Sequence, residues 1–208
     1  MITTRAIWLA RHASRRDFDD PHWGEHAPRP HDPPLSAGGQ RQALAMADRL
    51  AGESVTHVFS SPFLRCVETA APIAERLGLA IELEAGLSEW LNVEWFSGPL
   101  ELLPAAELSR HFPVDVGYRS RGAARYAENG TEALERSGKT ARLLAAEFDG
   151  SLVMVGHGAS VLGVMAELLG VDVRQMKDPA YGSVIELVQS DGRWMRGREF
   201  YAGAPRTS

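Results

Sequence analysis

Three short apolar runs, set far apart along the chain, predict the strands of a sheet. They cover residues 5–11, 55–61 and 151–157. The first and third are apolar at almost every position, which is typical of strands that a parallel sheet buries on both faces. Each run ends in polar side chains, so the reactive side chains of the predicted sheet would lie at one edge.

Between these runs, apolar residues recur at helical spacing. Four helices are predicted, at residues 38–52, 62–78, 131–150 and 159–170. We expect Ser61 to be the N-cap of the second helix and Pro62 its first residue. Residues 183–200 predict a β-hairpin that turns at Asp191-Gly192.

Strands that alternate with helices predict an α/β fold, here a three-layer α/β/α sandwich with a mostly parallel central sheet. Two stretches do not fit the alternation: residues 17–36, rich in proline and histidine, and residues 89–130, a mixed insertion. Long loops in compact domains commonly carry function. We expect both stretches to wall a site, within a single domain at residues 1–208.

Composition and charge narrow the class of protein. Apolar residues make up 44% of the chain, as in ordinary globular proteins, and the net charge of −5 argues against a nucleic-acid binder. No stretch approaches the ~20 apolar residues of a membrane helix. Cys66 is the only cysteine, which excludes an internal disulfide and fits a reducing compartment. We therefore expect a cytoplasmic protein with neither nucleic-acid nor membrane partners.

The ends of the three runs carry an unusual set of side chains. The first delivers Arg11 and His12, the second leads to Arg65 in the next helix, and the third ends in a Gly-His-Gly sequence centred on His157. Ligands of open α/β sheets bind outside the carboxyl ends of the strands. Two histidines and two arginines should therefore meet in one crevice.

This set of residue types suits phosphoryl transfer. Guanidinium groups bind phosphate through paired, charge-assisted hydrogen bonds, and a neutral imidazole can attack phosphorus. A second histidine, when cationic, can stabilise the transition state. Phosphoryl transfer needs mainly positioning and charge neutralisation, so we expect neither a metal nor another cofactor.

Five motifs in order, ARHASRR, DPPLSAGGQRQA, SSPFLRCVETA, GLSEW and VGHGAS, resemble the histidine phosphatase (phosphoglycerate mutase-like) superfamily. SSPFLRCVETA, EAGLSEW and PVDVGY are similar to the branch that holds the phosphatase domains of the UBASH3/Sts proteins and ecdysteroid-phosphate phosphatase. The resemblance covers about residues 5–190. It implies a histidine acid phosphatase-type phosphomonoesterase that acts through phosphohistidine on a phosphorylated small molecule or phosphoprotein.

The resemblance also implies residue roles. His12 matches the nucleophile of the family, and Arg11, Arg65 and His157 match its phosphate pocket. Arg15 matches an additional, substrate-facing arginine of the Sts-like branch.

Glu89, in GLSEW, matches the general acid, which protonates the leaving oxygen and then activates water. Burial beside Trp90 would raise its pKa, as a general acid requires. Glu94 is the second candidate for this role. Ala13 stands where the family usually has glycine, which leaves the backbone after His12 less defined.

Several alternatives stay open. A mutase on the same scaffold would return the phosphate to substrate, and a silent phosphate-binding module would have lost turnover. A metal-dependent phosphatase is a weaker option, because the loop residues His22, His26, His31 and Asp32 are too loosely spaced to define a metal site. Cys66 does not fit a thiol phosphatase, since Pro72 stands where that loop needs arginine.

The aromatic residues of the insertion do not decide the chemical class of the leaving group. We expect Trp90, Trp95 and Phe96 to pack in a small core, whereas on the crevice wall they would favour an aromatic or bulky leaving group. The apolar loop residues can pack internally or against a second copy of the chain, so a homodimer is an option.

Overall fold

A six-stranded mixed sheet forms the centre of the computed structural model, which describes residues 5–98 and 100–203. The strands are β1 (Arg5–Arg11), β2 (Val55–Ser60), β3 (Ile81–Leu83), β4 (Ser151–Gly156), β5 (Ser183–Ser190) and β6 (Arg193–Tyr201). Their order is β3-β2-β4-β1-β5-β6. The first four pair in parallel, and β5 and β6 extend the sheet from β1 in antiparallel fashion. The predicted α/β fold with a mostly parallel sheet is confirmed.

Helices cover both faces of the sheet. They are α1 (Trp23–His26), α2 (Ala37–Leu50), α3 (Leu64–Leu77), α4 (Ala105–Leu108), α5 (Gly130–Glu147) and α6 (Gly158–Leu169). Side chains alternate along β1, so Trp8 packs with the α2–α3 layer and Leu9 with the α5–α6 layer. The three predicted layers follow from this alternation. In the described part of the chain, no helix is both long enough and apolar enough to cross a bilayer.

The four predicted helices each start one or two residues away from the predicted position, and two of these starts have a different cap or a clear cause. Helix α3 begins at Leu64 with Phe63 at the N-cap position and no side-chain cap, so the prediction of Ser61 as N-cap is wrong. The Ser61 hydroxyl is instead 2.9 Å from a ring nitrogen of His157. Helix α5 starts one residue earlier than expected, because Asn129 and Glu132 form a capping box.

The predicted hairpin is confirmed: β5 and β6 turn at Asp191-Gly192, where both residues have positive φ. Residues 17–36 contain the end of a short 3-10 helix (Arg16–Phe18) and α1, and otherwise form a loop. The insertion contains α4 and buries apolar side chains against the α2–α3 layer, namely Leu91, Phe96, Leu108 and Val114. The predicted domain limits, residues 1 and 208, lie outside the described residues, so the single domain stays a prediction.

Candidate active site

The parallel pairing of β1 and β4 brings the two histidines together. Arg11 is opposite Gly156 in the register, so the next residue of each strand, His12 and His157, emerges at the same edge. Their ring centroids are 5.2 Å apart. Strand β2, beside β4, leads into α3, whose second residue is Arg65. The sheet order thus places these side chains in one cluster.

One ring nitrogen of His12 hydrogen-bonds to the backbone, and the other has a lone pair that can react. Its Nδ1 is 2.9 Å from the Ala13 carbonyl oxygen. Because a carbonyl can only accept, we assign the ring proton to Nδ1. Nε2 then holds a lone pair, and it accepts a hydrogen bond from Arg65 Nε at 3.3 Å. Burial, followed by the charges of Arg65 and His157, holds the pKa of His12 well below its ordinary value, so the ring is neutral.

His157 lies between a carboxylate and a hydroxyl. Its Nδ1 is 3.2 Å from Glu89 Oε2, and its Nε2 is 2.9 Å from Ser61 Oγ. Burial lowers the pKa of His157 to about 4, although Glu89 acts in the opposite direction. The cationic second histidine considered from the sequence is therefore neutral in the free site.

Glu89 is a carboxylate in the free site. Its Oε2 is also 3.6 Å from Arg65 Nη2. Burial opposes its ionisation, but His157 and Arg65 outweigh burial and lower its pKa. The expectation of a raised pKa is therefore wrong for the free protein, because these contacts favour the charged form.

Arg11 is held beside the two histidines. Its Nη1 donates to Asp178 Oδ2 at 2.7 Å and to the Pro179 carbonyl oxygen at 2.6 Å, and its guanidinium carbon is 3.9 Å from the Tyr181 ring centroid. Among the residues that the structure describes, its buried Nε has no hydrogen-bond partner. A buried donor of this kind is costly unless a ligand meets it. At Gly158, a Cβ would be only 3.3 Å from the Arg11 guanidinium carbon.

A cleft of about 480 Å³ lies above this cluster. Both long loops line it, as expected, through Asp17, Pro30, His31, Pro33, Glu89, Trp95 and Phe96; the other lining residues are Arg11, Arg15, Arg65, Gly158, Ala159, Asp178 and Tyr181. His12 and His157 are both buried beside Arg65, with 1% of His12 and none of His157 exposed.

The model of the histidine phosphatase superfamily (branch 1) matches residues 7–197 of this chain. The chain belongs to the histidine phosphatase superfamily. The family predicted from the motifs is therefore confirmed.

Two relatives of this chain come from the predicted branch. It is 32% identical over 185 residues to mouse (Mus musculus) ubiquitin-associated and SH3 domain-containing protein A, across 78% of this chain and 30% of the relative. It is 31% identical over 184 residues to Drosophila melanogaster ecdysteroid-phosphate phosphatase, across 78% of this chain and 24% of that protein. The chain thus spans less than a third of these relatives.

A solved structure has the same fold. The ecdysone phosphate phosphatase from Bombix mori, in complex with tungstate, superposes with a TM-score of 0.78 at 21% identity. The superposition covers 98% of this chain and 95% of that one. At this identity the likeness shows the fold alone.

The other predicted residues of this chain are distributed around the cleft. Arg15 lines the cleft, and its guanidinium is paired with Asp17 and stacked on the Phe18 ring. Glu94 is exposed and outside the cleft lining, so the geometry favours Glu89 over it. Trp95, expected to pack in a small core, is 55% exposed on the cleft wall.

The other two predicted packing aromatics are partly or wholly buried. Phe96 is buried in the α2–α3 layer and also lines the cleft. Trp90 is half-buried, and its indole nitrogen donates to the Glu128 carbonyl oxygen at 2.9 Å. Packing therefore accounts for Trp90, while Phe96 serves both the core and the cleft.

A metal does not fit this site well. Among the described residues, ligand atoms of His12, Glu89 and His157 lie within 4.8 Å of one another. The Arg65 guanidinium, however, is within 3.6 Å of each of these atoms. A divalent cation would sit against a permanent positive charge.

The histidine-rich loop does not gather a metal site either. His22 hydrogen-bonds to Glu25 and His26 to Asp20 at the surface. Asp32 is buried, and its carboxylate accepts from the Leu64 backbone N–H at 2.8 Å. Cys66 is also buried, 3.4 Å from His157 Nε2, and burial raises the pKa of its thiol. A thiol held protonated in this way is a poor nucleophile.

Asp178 and Tyr181 are site residues that the sequence does not predict. Both precede β5, and β5 runs antiparallel to β1. The start of β5 therefore lies at the carboxyl end of β1, where the Gly182 N–H donates to the His12 carbonyl oxygen at 3.1 Å. Pairing the predicted hairpin with the first run would have found these residues.

Proposed function

We propose that the protein is a metal-independent phosphomonoester hydrolase that works through a phosphohistidine at His12. The observation that carries the proposal is the lone pair on His12 Nε2, next to Arg65 and Glu89, with the ring proton held at Nδ1 by the Ala13 carbonyl. A neutral, oriented imidazole is the form that attacks phosphorus.

In the first step, the phosphate replaces the Glu89 carboxylate as the partner of Arg65 and His157. Arg11 Nε, for which the described part of the chain offers no hydrogen-bond partner, supplies a further donor. His12 Nε2 forms a bond to phosphorus while the ester P–O bond breaks. Glu89 gives a proton to the leaving oxygen, so that an alcohol or phenol departs.

The proton on Glu89 comes with the substrate. In the free site, Arg65 and His157 keep this residue ionised. A bound phosphate removes these partners and adds negative charge, and both effects raise the pKa of Glu89. A phosphate monoanion can therefore hand its proton to Glu89 on binding.

In the second step, water hydrolyses the phosphohistidine. Glu89, now a carboxylate, takes a proton from the attacking water. The new P–O bond forms as the P–N bond breaks, and His12 returns to its neutral form. The inorganic phosphate takes this proton from Glu89 and leaves as a monoanion, which returns Glu89 to the carboxylate, and no metal or other cofactor takes part in either step.

An aryl phosphate assay, paired with trapping of an acid-labile phosphoenzyme, tests the proposal. The wild type should release phosphate at a rate that a chelator does not change, and trapping should find the phosphoryl group on histidine. His12→Ala should neither release phosphate nor become phosphorylated. Turnover by His12→Ala at the wild-type rate would refute the nucleophile. Loss of activity with chelator, restored by metal, would favour a metal-dependent phosphatase.

Two alternatives have distinct outcomes in the same series. A mutase would isomerise a phosphoglycerate when given a bisphosphorylated primer, with little phosphate released. A silent phosphate-binding module would bind phosphate without turnover in either the wild type or His12→Ala.

The cleft wall favours a substrate with an apolar or aromatic leaving group. Trp95, Phe96 and Tyr181 line the cleft that also contains Arg11 and Arg65. One relative is named for its ecdysteroid-phosphate substrate. A panel of aryl phosphate, ecdysteroid phosphate, phosphotyrosine peptide, phosphoserine and sugar phosphate should show the highest kcat/KM for the first three. Equal values across the panel would contradict this preference.

The cellular setting belongs to the same proposal. We place the protein in the cytoplasm, acting on a phosphorylated small molecule or a phosphoprotein, without nucleic-acid or membrane partners. The buried thiol of Cys66 suits a reducing compartment. Light scattering of the purified chain distinguishes a monomer from a homodimer.

A further inference from the structure

A buried ion pair lies behind the segment that carries Glu89. Arg136, on α5, and Glu128 have side chains that are only 9% and 6% exposed. Arg136 Nε donates to Glu128 Oε2 at 2.9 Å, and Arg136 Nη2 donates to Glu128 Oε1. A buried pair of this kind costs desolvation free energy, so it is weak evidence for stability. Its other contacts point to a different role.

The remaining donors of Arg136 bind the backbone around Glu89. Nη1 donates to the carbonyl oxygens of Gly86 at 2.8 Å and Ser88 at 3.2 Å, and Nη2 donates to that of Glu89 at 3.0 Å. With the two bonds to Glu128, these contacts use all five N–H groups of the guanidinium.

Glu128 binds the same segment from the other side. Its Oε1 accepts from the Leu91 N–H at 3.2 Å, and its own N–H donates to the Leu91 carbonyl oxygen at 3.1 Å. Its carbonyl oxygen accepts from Trp90 Nε1 at 2.9 Å. Residues 88–92 have neither helix nor strand geometry, so these contacts replace a regular hydrogen-bond ladder.

We propose that Arg136, held in place by Glu128, is a positioning residue for Glu89, an inference that rests on the proposed function. Arg136 holds the backbone up to Glu89 and Glu128 holds Leu91 beyond it, so that the Glu89 carboxylate reaches the leaving oxygen. The planar fork of arginine reaches several acceptors at fixed angles, whereas lysine is a point charge on a flexible chain. Arg136→Lys therefore keeps the charge and loses the positioning.

A leaving-group series separates this role from a purely structural one. A misplaced general acid lowers the rate for a substrate whose leaving group needs a proton. It does not lower the rate for a substrate whose leaving group departs as a stable anion. For Arg136→Lys, kcat/KM with phenyl phosphate should fall by about 100-fold, within the range of general acid catalysis, while kcat/KM with dinitrophenyl phosphate stays at the wild-type value. Glu89→Gln should show the same dependence and serves as the benchmark.

Two further variants control the experiment. Arg142→Lys alters an exposed arginine of the same helix, paired with Glu167 at 3.0 Å, and should match the wild type on every substrate. Glu128→Gln keeps the volume and weakens the hold on Arg136, so it should show the same leaving-group dependence as Arg136→Lys. If Arg136→Lys does not fold, Glu128→Gln is the variant that tests the positioning role.

The outcomes distinguish the inference from the proposed function. Equal losses on all substrates in the folded variants, or no loss at all, would overturn the positioning role while leaving the hydrolase intact. A wild type without turnover, or a Glu89→Gln variant without leaving-group dependence, would instead overturn the assigned chemistry, and the inference with it.

Discussion

The Arg65 guanidinium contacts all three groups to which we assign the chemistry. It is 3.3 Å from His12 Nε2, 3.3 Å from His157 Nδ1 and 3.6 Å from Glu89 Oε2. The change Arg65→Gln removes its positive charge and keeps a polar side chain. We expect two separate effects, one on phosphate binding and one on the acidity of His12.

The effect on binding follows from the lost donors. A hydrogen bond to a charged group contributes about 1.5–3 kcal/mol. Loss of two such bonds between Arg65 and the phosphate costs about 3–6 kcal/mol, which is roughly a 10²- to 10⁴-fold fall in kcat/KM.

The effect on acidity follows from the distance between two charges. At an effective dielectric constant of about 20, unit charges 3.3 Å apart repel by about 5 kcal/mol, so the Arg65 charge lowers the pKa of His12. Burial is the larger cause of the lowered pKa of His12, and it persists in Arg65→Gln. We therefore expect the pKa of His12 to rise in Arg65→Gln, with burial still holding it below its ordinary value.

The sign of the pH dependence follows from the reacting form. The neutral ring attacks, so a raised pKa moves the loss of active His12 to higher pH. As the pH falls, Arg65→Gln should therefore lose neutral His12 at a higher pH than the wild type, whose His12 pKa is held well below its ordinary value by burial and by the Arg65 charge.

Nitrogen NMR titration of labelled histidine measures the His12 pKa directly, and kcat/KM across pH measures its consequence. Arg76→Gln is the matched control, since Arg76 lies on the same helix, is exposed, and pairs with Asp48 at 2.5 Å. An Arg65→Gln protein whose His12 titrates at or below the wild-type pH would refute the assignment of Arg65 as the neighbouring cation.

Three further substitutions test the packing around the site. Tyr181→Leu removes the ring 3.9 Å from the Arg11 guanidinium carbon, so kcat/KM for an aryl phosphate should fall about 3- to 10-fold; an unchanged value contradicts this. Gly163→Ala places a methyl group 2.2 Å from Ser137 Oγ, so urea unfolding should show a loss of about 1–3 kcal/mol, and equal stability would disprove the overlap. Asn129→Ala removes the α5 cap and should lower the free energy of unfolding by about 1 kcal/mol in the same assay.

The parts of the fold that the sequence predicts are those set by local pattern. Strands β1 and β4 are continuous apolar runs, and parallel strands end at one edge, so the pattern alone predicts that His12 and His157 lie together. Strand β3 escapes prediction because it has only three residues, too few for a periodic signal. The assignment of Ser61 as a cap is wrong because its hydroxyl hydrogen-bonds instead to a residue 96 positions away.

The chemistry of Glu89 shows where sequence reasoning stops. Its neighbour Trp90 suggests burial, and burial alone raises a carboxyl pKa. Arg65 and His157 reverse that direction, and they come from α3 and from the end of β4. The positioning residue Arg136 is likewise 47 positions from the Glu89 carbonyl that it binds. Local pattern locates a reactive residue, but the residues that set its charge and orientation come from elements that only the folded sheet brings close.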